Sequence, residues 1–131
     1  MLTIFPSCDE SFNKEILNKF EIKGAEQKLL IAKENDKMLG YIAFDIEKYK
    51  LYVLDIFIDN SLKRDRQEII DSMIKAASSF AINIKVFILC SENRSLFDIL
   101  ESFGFKKFKN IVQLDLYNVL GKCNKCCNSM G

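Results

Sequence analysis

Hydrophobic and polar positions along the chain follow two different periods, and the places where the period changes mark the elements. "KLLIAKE", "MLGYIAFDI" and "KLYVLDIFI" are rich in β-forming residues and are separated by short polar breaks at "NDK" and "EKY". That spacing predicts three strands of an antiparallel meander. From about Asp65 to Ala81 the apolar positions shift to helical spacing, with Ile69, Ile70, Met73, Ile74, Ala77 and Phe80 or Ala81 on one face. "IKVFILC" then runs apolar without interruption over a strand's length, which suits a strand covered on both faces.

The ends of the chain are read in the same way. "LTIF" is a short strand, and Ser7 with Glu10 has capping-box spacing, so a helix is expected through about Phe20 with Phe12, Ile16, Leu17 and Phe20 inward. "NRSLFDILESFGF" predicts a short helix with Leu96, Phe97, Leu100 and Phe103 as its apolar stripe and Gly104 as the left-handed residue that ends it. "KKFKN" and "IVQLDLYNVL" supply two closing strands.

The order is therefore β, α, β, β, β, α, β, α, β, β. It predicts an α/β (α+β) domain over residues 1–120, with a mixed, mostly antiparallel central sheet and helices on both faces. A helix joins strands four and five, and the right-handed crossover rule makes those two parallel. The carboxyl end of such a pair is a natural ligand crevice, and the helix after strand four presents its amino terminus there.

Composition narrows the chemistry. The sequence has 131 residues, 49% of them hydrophobic, enough for one core without metal or disulfide support. Lys and Arg number 19 against 18 Asp and Glu, a net charge of +1 that offers no broad field for nucleic acid or an anionic membrane. No histidine is present, which excludes serine–histidine hydrolysis and histidine-bound zinc. The opening "MLTIFPSCDESF" lacks a leader-like pattern and no run approaches a membrane span, so a soluble cytoplasmic protein is expected. Five cysteines, an odd number, read as reduced thiols. Cys123, Cys126 and Cys127 lie in residues 121–131, expected to be a loose tail. Their spacing is half of a zinc motif, so a metal shared between two chains or a response to oxidants are the alternatives to a plain reduced tail.

The segment Asn93, Leu100–Glu101, Gly104–Phe105, together with "MIKAASSFA" at residues 73–81 and the order of elements, resembles the GCN5-related N-acetyltransferase (GNAT) superfamily up to about Leu120. The resemblance implies acetyl-CoA as co-substrate at the splayed ends of strands four and five. Its pantetheine arm would pair with strand-four backbone near Phe57 and Ile58. Asn93 would serve the same site, and the pyrophosphate would lie over the loop and helix start with Lys63, Arg64 and Arg66. An amine acceptor, small molecule or peptide, would enter from the other side.

The sequence departs from the family pattern in two places. The family's phosphate loop carries glycines that let backbone N–H groups close on phosphate. Here the corresponding "DRQEII" has Glu68 and Ile70 instead, and Lys63, Arg64 and Arg66 are either compensating cations or a solvated helix entry. Leu100 stands where many members carry a proton-donating tyrosine, a loss worth roughly 10²- to 10⁴-fold. Cys90, Ser91 and Tyr117 are possible substitutes. As proton acceptor Asp55, which interrupts an apolar strand, leads Asp59 and Glu92; alternatively it points outward or to a structural partner. Two functions follow: an acyl-CoA-dependent N-acetyltransferase, or a catalytically inactive binding or regulatory module that self-associates through its last strands, for instance as a homodimer.

Overall fold

The computed structural model of the chain describes residues 2–20, 26–59 and 66–116. Lys63, Arg64, Tyr117 and the cysteines of the tail lie outside the described residues. The elements are β1 (Leu2–Pro6), α1 (Glu10–Leu17), β2 (Glu26–Glu34), β3 (Lys37–Glu47), β4 (Lys50–Ile58), α2 (Arg66–Asn83), β5 (Ile88–Ser91), α3 (Phe97–Ser102), β6 (Lys106–Phe108) and β7 (Ile111–Asp115). The strands form one seven-stranded sheet in the order β1-β2-β3-β4-β5-β7-β6. All pairs are antiparallel except β4 with β5, so the expected mixed sheet with one parallel crossover is what the chain adopts.

The turns explain why the meander folds as its pattern predicts. Asn35 and Asp36 form a two-residue β2–β3 loop, Glu34 pairing with Lys37, and both have positive φ (52° and 66°), the geometry that matches the twist of the flanking strands. Gly40 on β3 lies so close to β4 that a Cβ there would stand 2.2 Å from the Phe57 carbonyl oxygen.

The sheet buries both faces. On one, Ile42, Phe44, Leu51 and Val53 meet Ile69, Met73 and Ala77 of α2, and the same core continues through Leu89 and Val112 to Leu96, Leu100 and Phe105 around α3. On the other, α1 lays Ile16 against Leu29, Ile31, Tyr41 and Ala43.

Three element ends differ from the pattern. The N-cap of α1 is Asp9, not Ser7: its Oδ1 accepts from the Phe12 N–H at 3.1 Å, placing a carboxylate at the helix's positive end, and the helix stops at Leu17. β5 is shorter than its apolar run, beginning at Ile88. Before α3 the chain makes a 3₁₀ turn over Arg94–Leu96, capped by Asn93. The closing glycine behaves as expected. Gly104 has φ 101°, its N–H donates to the Glu101 carbonyl, and the Phe105 N–H reaches the Leu100 carbonyl, which completes a Schellman motif.

Candidate active site at the β4–β5 fork

The β4–β5 pairing is brief. Lys50, Leu51 and Tyr52 pair with Ile88, Leu89 and Cys90, and there the register ends although β4 runs on to Ile58. Among the described residues no strand covers that further stretch on the β5 side. On its other edge β4 carries a bulge: Val53 faces Phe44 and Asp55 faces Ala43, so Leu54 is the extra residue. A bulge bends and twists its strand, and here it does so at the level where the parallel partner is lost.

Side chains from the end of β5 hold the point of divergence. The fully buried Ser91 hydroxyl donates to the Val53 carbonyl at 2.7 Å, and the Asn93 Nδ2 donates to the Leu54 carbonyl at 2.9 Å. Asn93 Oδ1 accepts from the Ser95 N–H at 3.1 Å and from the Ser95 hydroxyl at 2.7 Å. The Asn93 N–H donates in turn to Ser91 Oγ at 3.2 Å. Two carbonyls of the bulge are thus satisfied by side chains instead of a strand ladder, and one asparagine both ties the strands and caps the following turn.

A cavity of about 300 Å³ opens beside this fork, lined by Phe20, Asp45, Tyr52, Leu54, Glu92 and Asn93, with Val53 behind them. Strand alternation accounts for its floor. Asp45 of β3 is opposite Tyr52 of β4, and Tyr52 is opposite Cys90 of β5, in one cross-strand row. Asp45 is only 1% exposed, and its Oδ1 accepts from Gln27 Nε2 at 3.3 Å.

The residues singled out from the sequence separate into groups. Asn93 is at the fork, and it and the exposed Glu92 both line the cavity. Phe57 and Ile58 lie on the open length of β4; Phe57 is 41% exposed and stacks on Tyr41 with ring centroids 5.3 Å apart, while Ile58 is buried in the α2 core. Arg66 is the exposed first residue of α2. Cys90 is fully buried, as is Leu100. Asp55 does not line this cavity. Its Oδ2 accepts from the Tyr41 hydroxyl at 3.1 Å, and burial, with the Asp55 charge second, pushes the Tyr41 pKa up to about 12. The Asp59 carboxylate is 3.9 Å from Lys37 Nζ.

Asp45 and Tyr52 were not anticipated. A signal for Asp45 was present: it follows Tyr41 and Ala43 at every second position, so its carboxylate had to point into a covered face.

The fold is shared with solved structures. A protein from Desulfovibrio desulfuricans assigned to the GNAT family of acetyltransferases superposes with a TM-score of 0.70 at 9% identity, over 88% of this chain and 99% of that one. A GNAT family acetyltransferase from Elizabethkingia anophelis, with acetyl-CoA bound, gives 0.66 at 14% identity, covering 88% and 98%. The ribosomal-protein-S18-alanine N-acetyltransferase of Escherichia coli also gives 0.66 at 14%, covering 88% and 94%. The chain has the GNAT fold. No family model matches the sequence, nor does the sequence of a curated protein. The GNAT likeness therefore lives in the order and geometry of the elements, not in sequence identity.

Proposed function

We propose that the protein is an acyl-CoA-dependent N-acyltransferase that acetylates an amine at the fork. The observation that carries this reading is the open length of β4 beyond Tyr52, in a chain whose fold is that of acetyltransferases. Alternate residues of an antiparallel strand turn their N–H and C=O groups away from their partner. From Asp55 to Ile58 such groups suit the amides of a pantetheine arm, which takes the place of an added strand. In this reading Arg66, with Lys63 and Arg64 just before it in sequence, supplies side-chain cations for the phosphates in place of glycine backbone.

The acceptor occupies the cavity on the α1 face. Its unprotonated nitrogen attacks the thioester carbonyl, the N–C bond forms, and the C–S bond breaks with its electron pair leaving on sulfur. Glu92, which lines the cavity, takes the proton released by nitrogen, and water returns a proton to the thiolate. Asp55 has a different task in this reading: it holds Tyr41, and with it the Phe12–Tyr41–Phe57 aromatic group that backs the open part of β4. The buried Cys90 is a small filler.

Calorimetric titration with acetyl-CoA, followed by mass spectrometry of a panel of amines incubated with both, tests the proposal. Saturable binding at one site per chain and mass gains of one acetyl group are expected. Absence of both would refute it.

A further inference from the structure

We infer that Ser91 and Asn93 are positioning residues of the acyl-transfer site: by holding two successive carbonyls of β4 they decide which of its backbone groups face the open side of the fork. The inference rests on the reading of open β4 as the seat of the acyl carrier. It names the groups that meet the carrier, the N–H and C=O of Ile56 and Ile58.

Strand alternation fixes the directions on either side of the bulge. Beyond it, the Asp59 N–H donates to the Leu39 carbonyl at 2.8 Å, so Asp59 turns toward β3. Phe57 and Asp55, at the alternate positions before it and opposite Tyr41 and Ala43, have the same phase. A Cβ on Gly40 would stand 2.2 Å from the Phe57 carbonyl oxygen, which places that carbonyl on the β3 side independently. Ile56 and Ile58 therefore turn their N–H and C=O the other way, where the pairing with β5 has already ended at Tyr52. Before the bulge the phase is opposite. The Val53 carbonyl faces β5 and accepts the Ser91 hydroxyl at 2.7 Å. Uninterrupted alternation from Val53 would send Asp55 and Phe57 toward β5 and leave Ile56 and Ile58 against β3.

The Leu54 carbonyl also faces β5, where Asn93 Nδ2 donates to it at 2.9 Å. Two successive carbonyls on one side are what an extra residue produces. Neither has a ladder partner there, and each needs a donor from elsewhere. Ser91 and Asn93 are those donors. Ser91 is fully buried and its Oγ accepts the Asn93 N–H at 3.2 Å, so the two act as one unit from the end of β5. The same phase sets Asp55 and Phe57 beside Tyr41 and sends Ile58 into the α2 core.

The test follows single amides of the isotope-labelled full chain by NMR hydrogen exchange in the wild type, Ser91→Ala and Asn93→Ser. Serine can still cap the Arg94–Leu96 turn but loses the amide that reaches Leu54. Without ligand, wild-type Ile56 and Ile58 should exchange at least about 10-fold faster than Asp55 and Phe57. In both variants that ratio should shrink at least about 5-fold, whereas a general loss of stability would quicken the β1–β2 amides equally. CoA should slow Ile56 and Ile58 in the wild type. Its Kd should rise about 10-fold or more in the variants, with the KM for the amine unchanged. Faster exchange at Asp55 and Phe57 than at Ile56 and Ile58 in the wild type would overturn the assignment, and that arm needs no variant to fold. Variants that keep the wild-type ratio and CoA affinity would overturn it too. A ratio that depends on Ser91 and Asn93 in a chain that ignores CoA would refute the proposed function and leave the role of the two residues in setting the strand's phase standing.

Discussion

Replacing Ser91 by Ala removes one oxygen atom from the point where β4 and β5 part. The Ser91 hydroxyl donates to Val53 at 2.7 Å and accepts from the Asn93 N–H at 3.2 Å, and Ser91 is fully buried. Alanine leaves the Val53 carbonyl with no hydroxyl and no strand partner on that side. Stranding one buried partner costs about 1–3 kcal/mol, so a loss near 2 kcal/mol is expected. With an m-value of about 2 kcal/mol/M, typical of a small domain in urea, the unfolding midpoint should fall by roughly 1 M. Urea titration followed by far-ultraviolet circular dichroism reads this directly. Ser72→Ala is the control: that hydroxyl donates to the Glu68 carbonyl within α2, and its loss should stay within about 0.5 kcal/mol. Amide hydrogen exchange should also quicken at Leu54 and Asn93 in the Ser91 variant. If S91A and S72A unfold at the same urea concentration, the fork is not held by side chains and the reasoning fails.

Asn93→Asp keeps an oxygen to cap the Arg94–Leu96 turn but removes the donor to Leu54 and sets a carboxylate against that carbonyl. It should destabilise by about 1–3 kcal/mol in the same urea assay, and wild-type stability would contradict the bridging role. Gly40→Ala places a methyl 2.2 Å from the Phe57 carbonyl oxygen, so β3 or β4 must shift; a loss of at least about 1–3 kcal/mol in thermal unfolding is expected, and a neutral result would deny the close approach. Tyr41, whose pKa is raised to about 12 in the folded chain from 10.0, favours the fold while neutral. That contribution is fully present below pH 10 and is lost as pH rises through about 12. Ultraviolet titration should show one late tyrosine that Tyr41→Phe removes; uniform titration of all tyrosines near pH 10 would contradict the burial of this hydroxyl.

What the sequence made legible follows from what local pattern encodes. Period and turn chemistry are local, so the order of elements, the Asn35–Asp36 turn and the Gly104 helix end could be read from neighbouring residues. The parallel pair was legible because a helix joins strands four and five, the connection that parallel neighbours require. The bulge at Leu54 was not, since "KLYVLDIFI" alternates no differently from an unbulged strand and the extra residue appears only against β3. For the same reason Asp55 looked like a catalytic carboxylate interrupting an apolar run. Its face is decided by the bulge, which sets it beside Tyr41, while the carboxylate that enters the cavity, Asp45, comes from the neighbouring strand. Asn93 was legible as a helix start, but its second role depends on the Leu54 carbonyl 39 positions away in sequence.

Amide hydrogen exchange along β4, with and without saturating CoA, tests most directly whether the open side of the fork receives an acyl carrier. The account predicts that protection rises between Asp55 and Ile58, with no comparable change along β1 and β2. Unchanged exchange at those positions, or protection confined to the far edge of the sheet, would contradict it.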